Sequence, residues 1–198
     1  MCGGIAATHF SHYMTHTPTF DIVFQSKIFC FDKLHGCLLY GERNNDANQE
    51  TQVDLHLQNI SNPFLLQPTV YTPLQPTSHK RLLTIYAKVL TWLCRHCYPV
   101  AYWISKHISL NAFANSQQAI LFYRHIYPSA EKQRRLCLPR AIFAATTSRK
   151  FKQHGVMLIG AFLPSTQMHA WVIEDNQQPD LLDNEWICYK PVYILYHQ

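Results

Sequence analysis

The cysteine, histidine and aspartate side chains in the carboxy-terminal third of the chain are best suited to chemistry. Cys137 lies at the predicted start of a helix, where unpaired N–H groups and the helix dipole lower a thiol pKa. Basic residues on both sides act in the same direction, namely Arg134, Arg135 and Arg140. His169 is suited to act as general base, and an aspartate near position 183 is suited to fix its tautomer. These residues predict a thiol nucleophile.

Helices that would position the thiol are predicted from apolar spacing. One amphipathic helix is predicted over 80–95, and Pro99 marks its end. A second is predicted over roughly 111–126. A third begins near Cys137, where Pro139 suits the first helical turn and several alanines follow.

Beyond Gly155 the pattern changes to that of strands. Three strands are predicted there, at 156–162, at 169–174 and from Leu181 onward. Asp175-Asn176 is the predicted turn between the last two. Because residues facing each other across a hairpin lie about 5 Å apart, we expect the carboxylate on the strand beside His169.

The amino-terminal third is predicted to be rich in strands. Short apolar runs over 19–40 predict two or three strands, and an alternating patch at 53–57 predicts another. Prolines then recur through a stretch that suits neither a helix nor a central strand. We therefore expect an α+β protein with a β-rich region at 1–62, a linker at 63–79 and a helix-and-strand domain at 80–198.

Composition excludes several classes of protein. With 198 residues, of which 47% are hydrophobic, the chain can bury a core and is not disordered in composition. No apolar run is long enough to predict a membrane span, and the polar, His-rich start is unlike a secretory signal, so we expect a cytoplasmic protein. Seven cysteines without such a signal argue against a disulfide framework. The net charge of +5 is concentrated at 130–154 and is typical of a solvated face.

Other motifs carry weaker predictions. Cys94-Arg95-His96-Cys97 has the CxxC spacing of zinc and redox sites, but no second pair completes four ligands. Met1-Cys2-Gly3 matches the start of amidotransferases with an N-terminal nucleophile, yet no large domain of that kind follows. Three histidines within the first 16 residues are explained equally well by a polar terminus. Aromatic residues over 71–103 fit helix burial better than base stacking, so we expect neither a metal nor a nucleic-acid partner.

The residues around Cys137 and His169 resemble one enzyme family. They are Arg135-Leu136-Cys137-Leu138-Pro139-Arg140-Ala141, His154-Gly155-Val156-Met157-Leu158-Ile159-Gly160-Ala161, His169-Ala170-Trp171-Val172, and then Asp183, Trp186, Tyr189 and Pro191. This order resembles the leader-processing cysteine proteases of lasso-peptide (microcin-type) biosynthesis, which belong to the transglutaminase-like superfamily. The resemblance extends from about residue 80 to the end. It implies a domain in which helices pack on an antiparallel sheet.

The resemblance implies a role for each site residue. Cys137 matches the nucleophile, His169 the general base and Asp183 the orienting acid. This sequence departs from the family because one residue separates Trp-Val from the next glutamate and the following turn is about two residues longer. Asp180 and even Asp175 are therefore alternatives to Asp183 as the orienting acid. The mechanism implied needs no metal and no other intrinsic cofactor.

The function implied is a cysteine peptidase that removes the leader from a ribosomally synthesised lasso-peptide precursor. Residues 1–62 lie where some of these proteases carry a leader-recognition domain related to winged-helix folds, which binds the leader as an added strand. The resemblance also implies a partner, an asparagine-synthetase-like cyclase, through which any ATP dependence would arise. Two alternatives stay open. One is an acyltransferase or amidase with the same triad, and the other is a non-catalytic leader-peptide-binding module in which Cys137 is a structural thiol.

Overall fold

The fold combines helices with two antiparallel sheets, which confirms the predicted α+β class. A computed structural model describes residues 22–24, 27–32, 37–42, 73, 79–162, 167–183 and 186–196. The α-helices in these ranges are α1 (Lys80–His96), α2 (Tyr98–His107), α3 (Ser116–Ile126), α4 (Ala130–Arg135), α5 (Cys137–Thr147) and α6 (Phe151–His154). The strands are β1 (Ile22–Phe24), β2 (Lys27–Asp32), β3 (Cys37–Glu42), β4 (Gly155–Phe162), β5 (Gln167–Glu174) and β6 (Lys190–Tyr196). None of the described helices has the length and apolar character that crossing a bilayer requires.

The amino-terminal sheet has the order β1-β2-β3, and each strand runs antiparallel to the next. This confirms that the apolar runs over 19–40 contain strands, and there are three of them. The alternating patch at 53–57 lies outside the described residues, as does the predicted linker apart from Pro73 and His79. The division of the chain into 1–62, 63–79 and 80–198 therefore stays a prediction.

The second sheet has the order β5-β4-β6 and is antiparallel throughout. Side chains alternate between its faces, as strand geometry requires. One face joins the main core through Met157, Ile159, Ala161, Ala170 and Val172. The other face carries Val156, Leu158, Trp171 and Ile173, which pack with Trp186. Because both faces are covered, β4 and β5 are almost continuously apolar.

Helix α5 is the centre of the core. Its residues from Pro139 to Thr147 are all buried, and it packs against α1, α2 and α3 as well as against β4 and β5. The Phe143 ring lies 5.5 Å from that of Tyr123 and 6.1 Å from that of Phe122, within the range favoured by aromatic pairs. The helix that begins at Cys137 is thus held on all sides.

The structure confirms helix α1 and corrects two details of the helical region. Helix α3 begins at Ser116 and not near 111, because Asn115 caps it by accepting a hydrogen bond from the Gln118 N–H at 3.0 Å. Helix α2 was not predicted. Pro99 does end α1, but it also occupies the first turn of α2, where its missing N–H removes no helical hydrogen bond.

The predicted strand from Leu181 onward is wrong. Residues 181–182 form a turn, a short 3₁₀ helix follows at Trp186–Cys188, and the last strand, β6, pairs with β4 and not with β5. The turn at Asp175-Asn176 is confirmed, with φ of 51° and 56°. The chain then leaves β5 because Asp180 forms ion pairs with arginines on the helical side of the sheet.

Candidate active site

Cys137 is the first residue of α5 and is half-buried. Helix α4 leads into this start through Leu136, whose carbonyl accepts the Arg140 N–H at 3.0 Å. Pro139 lies in the first turn, where a missing N–H leaves no hydrogen bond unmade. The thiol therefore lies at the predicted helix start, although a short helix precedes it.

His169 joins the thiol to a carboxylate. It lies on β5 opposite Gly160 of β4 and is 6% exposed. Its Nε2 is 2.7 Å from Asp183 Oδ2. The imidazole also forms a hydrogen bond with the Cys137 thiol. The structure thus brings together all three residues to which the sequence assigned roles, with the imidazole in contact with both the thiol and the carboxylate.

The three side chains meet around the outer edge of β5. Ala170 belongs to the face of the sheet that packs on the helices, and its backbone N–H donates to the Cys137 sulfur. The His169 ring lies 6.0 Å from that of Trp171 and 5.0 Å from that of Tyr189. These neighbours limit rotation of the imidazole. Trp171 also packs in the core with Trp186, so this side chain covers the imidazole and fills the core at the same time.

The pKa values of Cys137 and His169 shift in opposite directions. Burial raises the pKa of the Cys137 thiol, but the hydrogen bond and charge of His169 lower it more, with help from the Ala170 N–H and the Arg140 charge, and the net shift is downward. Burial lowers the pKa of His169, but Asp183 and Cys137 raise it to about 9. A lowered thiol pKa beside a raised imidazole pKa favours a thiolate–imidazolium pair at neutral pH.

Of the three arginines near Cys137 in sequence, Arg140 reaches the site. It is buried, with Nε 2.9 Å from Asp180 Oδ2 and Nη2 3.4 Å from Asp183 Oδ2. Arg134 and Arg135 are exposed, and Arg135 pairs with Glu131 at the surface. The expected lowering of the thiol pKa by basic residues is thus seen for Arg140. The spacing explains this, because Arg140 follows Cys137 by three residues and so shares its side of the helix.

The structure separates the three aspartates that competed for the third role. Asp183 contacts the imidazole, whereas Asp180 accepts two hydrogen bonds from Arg124 Nη2, at 2.7 and 2.8 Å, and pairs with Arg140. Asp175 pairs with Lys150. Asp183 lies in a loop before the 3₁₀ helix, so the expectation of a carboxylate on a neighbouring strand is wrong. Its N–H donates to the Asp180 carbonyl at 2.9 Å, which ties the two aspartates together.

Sequence reasoning missed the buried ion-pair chain behind the site. This chain of ion pairs runs from Arg124 of α3 through Asp180, Arg140 and Asp183 to the imidazole. Arg124 gives no sequence signal because it is 56 residues from Asp180. Because burial makes an unpaired charge costly, each member holds the next in place. Asp183 is thereby fixed beside the imidazole.

Comparisons with models of known protein families, with curated proteins and with solved structures find no match. What this site can do therefore follows from its own geometry. A thiolate beside an imidazolium that a carboxylate orients is equipped for nucleophilic attack on an acyl carbon and for protonation of a leaving group. The backbone N–H of Cys137, at the first position of α5, is a donor suited to a developing oxyanion.

Other thiols and histidines form no comparable site in the ranges that the structure describes. There, no group of three or more His, Cys, Asp and Glu side chains could hold a metal ion. Cys94 and Cys97 lie at the end of α1 and just after it as free, half-buried thiols. The histidines of the first 16 residues lie outside the described ranges.

Proposed function

We propose that this chain is a cysteine peptidase of the transglutaminase-like type. The observation that carries the proposal is the bridging imidazole, which bonds to the Cys137 thiol on one side and lies 2.7 Å from Asp183 on the other. The opposed pKa shifts of Cys137 and His169 support it, because peptide cleavage needs both an ionised nucleophile and a protonated acid.

The reaction proceeds in two acyl-transfer steps. The Cys137 thiolate attacks the peptide carbonyl, and His169 gives its proton to the leaving amine as the C–N bond breaks and a thioester forms. His169, now neutral, takes a proton from water, which attacks the thioester. The C–S bond then breaks, the carboxylic acid leaves, and the thiolate–imidazolium pair is restored. Asp183 stays an anion and holds the ring in the required tautomer.

The substrate proposed is the leader segment of a ribosomally synthesised lasso-peptide precursor. Support comes from the resemblance around Cys137, His169 and Asp183. Residues 1–62 are proposed to recognise the leader, and the same resemblance supports an asparagine-synthetase-like cyclase as partner. In this proposal the chain works in the cytoplasm and uses ATP only through that cyclase.

The experiment compares the wild-type chain with Cys137→Ala on the precursor, with and without the cyclase and ATP, by intact mass spectrometry. Cys188→Ala is the matched control, because Cys188 is an exposed thiol of the same chain. We expect loss of the leader mass with wild type and Cys188→Ala but not with Cys137→Ala. Leader binding without cleavage by any variant would contradict the peptidase and leave a binding module.

The acceptor of the acyl group separates the peptidase from an acyltransferase with the same triad. Cleavage in the presence of a primary amine such as methylamine tests this choice, since the amine competes with water for the thioester. We expect the free acid as the main product. A product carrying the mass of the amine at low amine concentration would instead identify an acyltransferase.

A further inference from the structure

One side of helix α1 is apolar and faces away from the core. Its exposed stripe consists of Leu82, Ile85, Val89 and Trp92. Each of these residues is between 48% and 66% exposed. The buried side of the helix carries Leu83, Ala87 and Leu90. The stripe is thus separate from the residues that hold α1 in the fold.

The spacing of the stripe is that of a helix-docking seam. Its members follow one another at intervals of three, four and three residues, which is the a/d pattern of a heptad repeat. At 1.5 Å per residue the stripe runs for about 15 Å along the helix axis. A second helix laid along this seam would bury all four side chains together.

A row of basic residues borders the stripe. The row consists of Arg81, Lys88 and Arg95, which recur every seven residues and are exposed. No acidic residue occurs between Asp54 and Glu131 in the sequence, so neither α1 nor α2 contains one to neutralise this row. The other flank of the stripe is closed by half-buried Tyr86 and Leu93, which pack on the core. A ligand of this face therefore meets apolar groups in the middle and positive charge along one edge.

We propose that this face of α1 docks an amphipathic helix of a partner protein that carries acidic residues along one edge. The partner's apolar residues fill the seam, and its carboxylates pair with Arg81, Lys88 and Arg95. A second copy of this chain fits less well, because it would bring basic rows together. A membrane surface also fits less well, because a helix lying in a bilayer presents a wide apolar face, whereas this stripe is narrow and its other flank is closed.

The test uses the full chain and two synthetic helical peptides with leucine at the a and d positions. One peptide has glutamate at the flanking e and g positions and the other has lysine there. Binding is measured by fluorescence anisotropy of the labelled peptides. We expect the glutamate peptide to bind and the lysine peptide to bind at least about tenfold more weakly. Each exposed charge pair contributes little to the binding free energy by itself, so the difference is the sum over the three basic residues. Equal binding of the two peptides would overturn the proposal.

Variants locate the binding face. Ile85→Ser with Val89→Ser should weaken binding of the glutamate peptide about tenfold or more, since apolar contacts at the centre of an interface dominate affinity. Arg81→Glu, Lys88→Glu and Arg95→Glu together should reverse the preference between the peptides. Lys132→Glu on α4 is the matched control, because it changes an equally exposed basic residue elsewhere. An unchanged preference in the triple variant would place binding on another surface and overturn the proposal.

Further measurements separate this inference from the proposed function and from other occupants. The α1 variants should leave the thermal unfolding midpoint and the alkylation rate of Cys137 unchanged, because the altered side chains are exposed and none belongs to the site. The inference can therefore fail while the peptidase stands, and the reverse also holds. If the wild type sedimented as a dimer and the variant with Ile85→Ser and Val89→Ser as a monomer, the occupant would be a second copy of this chain. Flotation with phosphatidylglycerol vesicles without peptide binding would identify a membrane. Either result would overturn the proposal.

Discussion

Two thiols on neighbouring helices differ in how readily they lose their protons. Burial is the largest influence on both Cys137 and Cys94, and it raises both pKa values. For Cys94, in the last turn of α1, the charge of Cys137 acts in the same direction and the pKa rises to about 12. For Cys137, at the start of α5, hydrogen bonds and positive charge outweigh burial and the pKa falls. The contacts with His169, more than the degree of burial, therefore account for the different pKa values of the two thiols.

The largest expected effect is the difference in alkylation between these two thiols. At pH 7, iodoacetamide should modify Cys137 at least about 10³-fold faster than Cys94. The reason is that a pKa of about 12 leaves roughly one Cys94 in 10⁵ as the reactive thiolate. The measurement is a time course of modification read by peptide mass mapping. In denaturant the two rates should converge, and similar rates in the folded chain would contradict the assigned nucleophile.

Removal of the imidazole should make Cys137 more like Cys94. In His169→Ala we expect alkylation of Cys137 at pH 7 to slow about tenfold or more, because an ordinary thiol has a pKa of about 8.5 and is only a few per cent ionised there. Because burial of Cys137 remains in this variant, the rate should then rise with pH along a curve displaced to higher pH than that of the wild type. Trp171→Phe is the matched control, since it changes a neighbour of His169 and keeps the imidazole. An unchanged pH profile in His169→Ala would show that the helix start alone activates the thiol.

Neutralising Asp183 should move the alkaline limit of activity. Wild-type kcat/KM should fall as pH rises through about 9, because His169 then loses the proton that the leaving amine requires. Asp183 raises the pKa of His169, so Asp183→Asn should shift this fall to lower pH and reduce kcat about tenfold to 100-fold at its optimum. The measurement is the pH profile of precursor cleavage.

Asp180→Asn is the informative partner of that variant, because Asp180 pairs with Arg124 and Arg140 and not with the imidazole. We expect it to lower stability while the alkaline limit stays near its wild-type position. If Asp180→Asn moved the limit as far as Asp183→Asn does, the two aspartates would act on His169 as one unit, and the third role could not be assigned to Asp183 alone.

The sequence predicts the local parts of this site better than the contacts between them. The start of α5 at Cys137 follows from Pro139 and the alanines after it, and the strand that carries His169 follows from the continuous apolar run of β5. The position of Asp183 does not follow, because the turn at Asp175-Asn176 suggested a hairpin. Ion pairs with Arg124 and Arg140 instead hold Asp180 on the helical side of the sheet. Such pairs join residues far apart in the sequence, so the local spacing of apolar residues does not predict them.

The same limit applies to the helices. Apolar spacing predicts α1 because one side of it is buried, but it does not reveal that Leu82, Ile85, Val89 and Trp92 form a separate exposed stripe. Helix α2 does not follow from the sequence, because Pro99 suits both the end of one helix and the first turn of the next. The helix that begins at Tyr98 is stabilised by its packing against α5, which involves residues far away in the sequence.

The buried carboxylates of Asp183 and Glu174 differ in the groups that surround them. Arg140 lies beside Asp183, whereas the near contacts of Glu174 at the end of β5 are neutral donors. The Ser116 N–H donates at 3.1 Å and the Ser148 hydroxyl at 3.0 Å. Burial raises the pKa of Glu174, and these donors offset only part of that effect. Neutral hydrogen bonds thus hold the carboxylate in place without restoring its ordinary pKa.

The smallest expected effect follows from this raised pKa. Between about pH 4.5 and the raised value the folded chain holds a proton on Glu174 that the unfolded chain has lost, so stability should fall as pH rises through this window. In Glu174→Gln this fall should disappear, because the variant carries no group that titrates at this position. Urea titrations at several pH values measure it, with exposed Glu131→Gln as the control. If the stability of the wild type rose with pH across this window and that of Glu174→Gln did not, the serine donors would outweigh burial. The pKa of Glu174 would then be lowered and not raised.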